Sequence, residues 1–225
     1  MPVFVVSIDG PDFSGKTTIS NLVLEYLRPV LKNNGIEIKK TELPSTMITG
    51  YITKILRNSA DNVSQEVFSL AYAIDHLYHY EKFIKPLEKS EKKFVVIQER
   101  SLLTTLIYQG LIGKVDLNWI RNINKFDKNI PNLTIILKVL EEELIKRKFA
   151  ESISREADKF EDIEFLKKEI NVYYNLPKNL EKEFNVKYVE ANEEANLVAR
   201  KCAKLIEDEV KKFYKIGRWV NLGNF

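Results

Sequence analysis

The eight residues Gly10-Pro11-Asp12-Phe13-Ser14-Gly15-Lys16-Thr17 fit the spacing G-x-x-x-x-G-K-[S/T]. Glycines at the two ends let the backbone turn and aim successive N–H groups at one anion. A helix that begins near Lys16 brings its positive end to the same point. Lys16 adds a point charge suited to β- and γ-phosphates, and Thr17 adds a hydroxyl suited to a divalent cation. A short pattern of this kind also occurs by chance in tight turns. Here an apolar run, Val3 to Ile8, precedes it and an amphipathic run follows, the strand–loop–helix setting that phosphate binding needs. The expected ligands are ATP and Mg2+, with Gly10, Asp12, Phe13, Ser14, Gly15, Lys16, Thr17 and Thr18 around the phosphates.

Further along, Glu99-Arg100 follows the apolar run Phe94 to Ile97. A guanidinium at the carboxyl end of such a strand can grip a second phosphate with two parallel hydrogen bonds. Tyr72, His76, His79 and Tyr80 stand at i, i+4, i+7 and i+8, a spacing that puts them on one helix face. The two histidines lack further ligands at metal-site spacing, so core or ligand contacts are the better reading. Gln109 closes a mostly apolar stretch, Leu102 to Ile107.

The elements that must position these groups alternate. Strands are expected at Val3 to Ile8, from Ile36, and at Phe94 to Ile97, Leu133 to Val139 and Val186 to Val189. Helical periodicity covers Lys16 to Asn33, Val63 to Lys89, Leu102 to Leu111, Leu117 to Asp127, Phe160 to Glu183 and Glu193 to Lys215. Short, continuous apolar strands between helices predict an α/β fold with a five-stranded parallel sheet covered on both faces. The charged segment from Arg147 to Glu161 reads as a mobile excursion. Residues 1–215 are expected to form one domain, with 216–225 as a C-terminal tail.

With 225 residues the chain can bury a large core unaided. Its 35 basic and 32 acidic side chains leave a net charge of +3, too little and too dispersed for a nucleic-acid footprint. Stretches such as Lys167 to Glu169 mix both signs and read as solvated helix faces. No apolar run approaches the ~20 residues that span a bilayer, and Met1 to Ile8 lacks the basic lead of a signal peptide. The single cysteine, Cys202, cannot pair internally, which fits a reducing compartment. A cytoplasmic protein, away from membranes and nucleic acids, is the expectation.

Over nearly its whole length the chain resembles the thymidylate kinase family. The resemblance rests on the loop from Ile8 to Thr18, on Glu42-Leu43-Pro44, and on Tyr72-Ala73-Ile74-Asp75-His76 followed by Ile84-Lys85-Pro86. It rests also on Glu99-Arg100 with Tyr108-Gln109-Gly110 at the family's spacing, and on Pro131-Asn132-Leu133-Thr134. The resemblance implies a three-layer P-loop kinase fold and the reaction ATP + dTMP → ADP + dTDP. It implies that Asp12, Pro44, Tyr72, His76, Arg100, Thr104 and Gln109 line the acceptor, with Tyr72 stacked on the base and Arg100 on the phosphate. Asp12 would approach the acceptor sugar or the metal shell, and Thr17 with Glu99 would hold Mg2+. A lid at about 147–160 would supply Arg155 to the transferring phosphate, since position 13 is Phe, and Arg147 would sit near the adenine. Catalysis would then lie with Lys16, Arg100, Arg155 and Asp12. A homodimer is also implied.

Three departures keep other readings open. His76 stands where the family has Arg, Lys159 stands for Arg in the lid motif, and Glu99 is one carbon longer than the family's Asp. Glu99-Arg100-Ser101 also resembles deoxyribonucleoside kinases, in which Glu99 or Glu42 would be a general base. A kinase for another nucleoside monophosphate and a non-catalytic ATP-binding protein are the remaining alternatives.

Overall fold

The computed structural model describes residues 2–59, 62–152, 159–217 and 219–220, with the side chains of 151–162 excepted. Five strands form one parallel sheet in the order β2-β3-β1-β4-β5. They are β1 (Val3–Asp9), β2 (Ile36–Glu42), β3 (Lys93–Glu99), β4 (Leu133–Lys138) and β5 (Val186–Glu190). Every residue of β1 is buried, as a central strand covered on both faces must be. Edge strand β2 alternates instead, with Lys39 and Lys40 on a run that is only partly covered.

One face of the sheet presents Phe4, Val6, Ile8, Val95 and Ile97 to α1 (Lys16–Asn33) and to the last helix, Ala195–Tyr214. The residues between them in the pleat, Val3, Val5, Phe94 and Val96, face the opposite layer. That layer holds α2 (Ile48–Asn58), α3 (Gln65–His79) and α4 (Lys85–Glu88), where a wide turn at Tyr80–Ile84 joins α3 to α4. Pro86 cannot donate to the carbonyl of Lys82, so the widening falls where the α ladder loses a bond. The expected helix from Val63 to Lys89 is therefore present but interrupted.

After β3, α5 (Leu102–Thr105) begins at a capping box between Ser101 and Thr104 and widens over Leu106–Ile112. Then come α6 (Leu117–Ile123), α7 (Glu141–Ser152), α8 (Lys159–Tyr174), α9 (Lys178–Glu183) and α10 (Ala195–Tyr214). Two elements had no counterpart in the sequence reading. Helix α2 lacks a side-chain cap and exposes its apolar stripe, and α7 opens on Glu141, Glu142 and Glu143, a charged turn that the helix dipole favours. The single helix expected from Phe160 to Glu183 is two, because Pro177 cannot continue α8. The segment from Arg147, read as an excursion, opens as the second half of α7.

The start of the tail docks on the core. Asn34 Nδ2 donates to Val220 O at 3.2 Å, and Val220 N returns a bond to Asn34 Oδ1 at 3.1 Å. Trp219 packs against the main apolar cluster beside α10.

Candidate active site

The loop after β1 takes the strained path that its glycines permit. Gly10 has φ 139° and Gly15 φ 88°, and a Cβ at Gly10 would lie 3.0 Å from the Leu137 carbonyl oxygen. Phe13, at φ 66°, is the non-glycine residue that shares this conformation within the loop. Lys16 Nζ donates to the carbonyls of Gly10 and Pro11 at 3.0 and 2.7 Å and lies 3.7 Å from Asp12. Burial and the Arg100 charge bring its pKa down to about 8, against the pull of Asp12.

Beneath the loop, Asp9 is buried and serves three partners. It accepts from Gly10 N at 3.0 Å, from the Tyr173 hydroxyl at 2.8 Å and from the Thr104 hydroxyl at 2.7 Å. Thr104 Oγ1 also accepts from Ser101 N at 3.2 Å, so its hydrogen and one lone pair serve the scaffold.

Arg100 follows β3 in the left-handed region, at φ 66°. Its guanidinium pairs with Asp12 Oδ1 and lies 5.5 Å from the Tyr108 ring centre. Burial raises the Asp12 pKa, but Arg100 and Lys16 outweigh it and hold the carboxyl below its usual range. Glu99, one residue earlier, turns the other way. Its carboxylate accepts from the Thr17 and Ser20 hydroxyls at 2.7 Å each and meets the Lys40 ammonium at 2.7 Å.

Asp12 and Arg100 open onto a cavity of about 250 Å³, lined by all seven residues expected at the acceptor: Asp12, Pro44, Tyr72, His76, Arg100, Thr104 and Gln109. Tyr72 and His76 sit one turn apart on α3, with ring centres 6.5 Å apart. His76 Nδ1 lies 3.2 Å from Asn124 Oδ1, and Asn124 Nδ2 is committed to the Ile120 carbonyl at 2.9 Å. The Asn124 oxygen therefore accepts, Nδ1 carries the proton, and Nε2 keeps its lone pair. Burial lowers the His76 pKa, so the ring is neutral near pH 7 despite Asp127 and Asp75. Gln109 Nε2 donates to Gln65 Oε1 at 3.3 Å.

The four residues expected on one face of the long helix divide. Tyr72 and His76 reach the cavity, while His79 stacks on Phe83 and bonds Thr41 Oγ1 at 2.7 Å. Tyr80 packs with Val3 and Val96 under the sheet. All four positions do fall within about a third of the circumference, but at about 1.5 Å per residue His79 and Tyr80 stand about 10 Å further along the axis than Tyr72, past the cavity.

Glu169 was read as part of a solvated charge run, and the structure corrects this. It is only 2% exposed, lines the cavity, and accepts from the Asp12 backbone N–H at 3.1 Å. Burial and the neighbouring Asp12 charge push its pKa up to about 7. Its position three residues after Leu166 and four before Tyr173, both buried, was the available signal. Arg57, Gln65, Phe68 and Phe165 also line the cavity and were not singled out either, and Tyr108, quoted only for the family block, joins them there.

Arg147 lies on α7 against the phosphate loop, donating to Phe13 O at 3.2 Å and to Glu143 at 2.9 Å. Arg155 lies outside the described residues. Neither Glu42 nor Glu99 lines the cavity, so neither carboxylate suggested as a general base faces it. For Mg2+, Thr17 and Glu99 offer adjacent hard oxygen donors at the loop. Among the described residues no cluster of three or more His, Cys, Asp or Glu could complete a cation's shell, so nucleotide phosphates would supply the rest.

Comparison with known proteins follows the same lines. The family model described as Thymidylate kinase matches residues 8–201. A probable thymidylate kinase from Sulfolobus acidocaldarius is 33% identical over 181 residues, covering 78% of this chain and 84% of that one. A probable thymidylate kinase from Thermococcus gammatolerans is 28% identical over 218 residues, covering 93% and 98%. A crystal structure of thymidylate kinase from Ehrlichia chaffeensis superposes with a TM-score of 0.65 at 21% identity, over 92% of this chain and all of that one. The match spans the phosphate loop, the cavity and the parallel sheet together, and the chain belongs to the thymidylate kinase family of phosphotransferases.

Proposed function

We propose that this chain transfers the γ-phosphoryl group of ATP to the phosphate of dTMP, and that the residues gathered above carry the transfer. The carrying observation is that one cavity, lined by the seven expected acceptor residues, meets the phosphate loop at the Asp12–Arg100 pair. In the reaction an oxygen of the acceptor phosphate attacks the γ-phosphorus, the bond to the β-phosphate oxygen breaks, and ADP leaves. The attacking oxygen already carries charge near neutral pH, so no general base is required.

Lys16 would exchange its two carbonyl contacts for the β- and γ-phosphates. Arg100, resting on Asp12, would swing its free N–H groups onto the acceptor phosphate and fix the attack geometry. Tyr72 would cover the base face, His76 Nε2 would accept from a base N–H, and Gln109 with Pro44 would bound the nucleoside. Thr17 and Glu99 would hold Mg2+, which supplies neutralisation of phosphate charge when bound. Residues 1–215 would act as one kinase domain, with about 147–160 as a lid from which Arg155 meets the transferring group and Arg147 stays by the nucleotide. The setting would be the cytoplasm, where deoxynucleotide pools are held.

Helix α2 packs on α3, and both present apolar side chains to solvent: Ile48, Ile52 and Ile55 on α2, Leu70 and Ile74 on α3. A second copy of the chain is the occupant we assign to this face, as a two-fold dimer. The function is tested by ADP release with MgATP and a panel of dTMP, dUMP, dCMP, dGMP, AMP and thymidine. Preference for dTMP is expected. Preference for another monophosphate would move the base specificity, and activity with thymidine alone would overturn the reading.

A further inference from the structure

Glu99 ends β3 with its carboxylate already engaged on three sides. Oε2 takes the Thr17 hydroxyl, and Oε1 takes both the Ser20 hydroxyl and the Lys40 ammonium, each at 2.7 Å. Lys40 comes from edge strand β2, where Glu42, two residues later, is the residue in register with Glu99. Its ammonium is fixed from a second direction by Asn21 Oδ1 on α1, and its side chain is 22% exposed. A cation held between α1, β2 and β3 thus lies beside the carboxylate next to the Thr17 hydroxyl.

We propose that Lys40 is a positioning residue that keeps Glu99 from capturing a free divalent cation, so that Mg2+ enters with the nucleotide and not ahead of it. An ammonium in contact with the carboxylate cancels the charge that would draw a dication there, and repels the dication as well. Triphosphate oxygens restore the missing negative charge, and Thr17 can then release Glu99 to meet the arriving cation. The inference rests on the reading above only in taking MgATP as the donor.

The probe is Mn2+, titrated into the nucleotide-free full-length protein and followed by the electron paramagnetic resonance signal of the free ion. The parent protein should leave Mn2+ free over a range in which Lys40→Met binds it, at least about tenfold more tightly. Lys40→Arg should behave as the parent, because it keeps the cation. The double variant Lys40→Met/Glu99→Gln should lose the gain. Lys40→Gln provides the same test if Lys40→Met does not fold, as judged by circular dichroism. Parent protein that binds Mn2+ as tightly as Lys40→Met, or a gain that survives Glu99→Gln, would overturn the proposal. The readout involves no acceptor, so a failure to phosphorylate dTMP would leave it standing.

Discussion

Lys16 is held by the loop it serves, with its ammonium on the carbonyls of Gly10 and Pro11. Binding of a triphosphate exchanges two neutral acceptors for charged ones, which is a gain available only to the cation. With its pKa near 8, the ammonium begins to lose its proton as pH rises through 8 in the free protein. ATP affinity measured by calorimetry should therefore weaken between pH 7 and 9, and Lys16→Arg should flatten that slope, because guanidinium stays charged. Lys16→Ala should lower kcat by about 10²-fold or more. His76 gives a second prediction at this scale. His76→Phe keeps an aromatic ring but removes both the Nε2 acceptor and the Nδ1 donor to Asn124, so the dTMP KM should rise about tenfold or more with kcat nearly unchanged, the loss of one substrate hydrogen bond plus an unpaired Asn124 oxygen. Residues such as Lys16, Arg100 and Gln109 were legible because each belongs to a spaced pattern. Glu169 and Arg57 were not, because a lone charge on an amphipathic helix looks the same whether it faces solvent or a cavity.

Helix α8 touches the phosphate loop directly, through Glu169 and the Asp12 N–H. The contact has a pH signature. The Glu169 pKa is raised from 4.5 to about 7, so the folded chain holds a proton that the unfolded chain releases. The resulting stabilisation is full below the unfolded value and is lost as pH rises through about 7. Glu169→Gln keeps an oxygen for the Asp12 N–H and removes the titration. Thermal melts should show the variant gaining on the parent as pH goes from 5 to 8, and equal curves at every pH would contradict this. At the level of elements, sequence periodicity placed all five strands and most helices. It missed α2, whose apolar residues face outward, and the charged α7, and it joined α8 to α9 across Pro177.

For the whole molecule, the sheet order β2-β3-β1-β4-β5 puts β1 between β3 and β4, so the loop after β1 meets the residues after β3 at one edge. No strand order came from the sequence reading, since periodicity finds strands and says nothing of their neighbours. The exposed stripe on α2 and α3 was invisible for a related reason, because an apolar helix face reads as core until the fold shows it uncovered. Ile55→Lys combined with Ile74→Glu should convert a dimer to a monomer in sedimentation velocity while leaving the circular dichroism unchanged. A parent protein that sediments as a monomer at all concentrations would remove the second copy from that face.

The account stands on the cavity accepting a nucleotide that already bears a phosphate. The most direct test incubates the protein with γ-labelled ATP, Mg2+ and either dTMP or thymidine, and separates the products. Label appearing in dTDP, one for each ADP formed, with none in thymidine monophosphate, is the predicted result. Label in thymidine monophosphate without dTDP, or ADP formed at the same rate with no acceptor present, would contradict it.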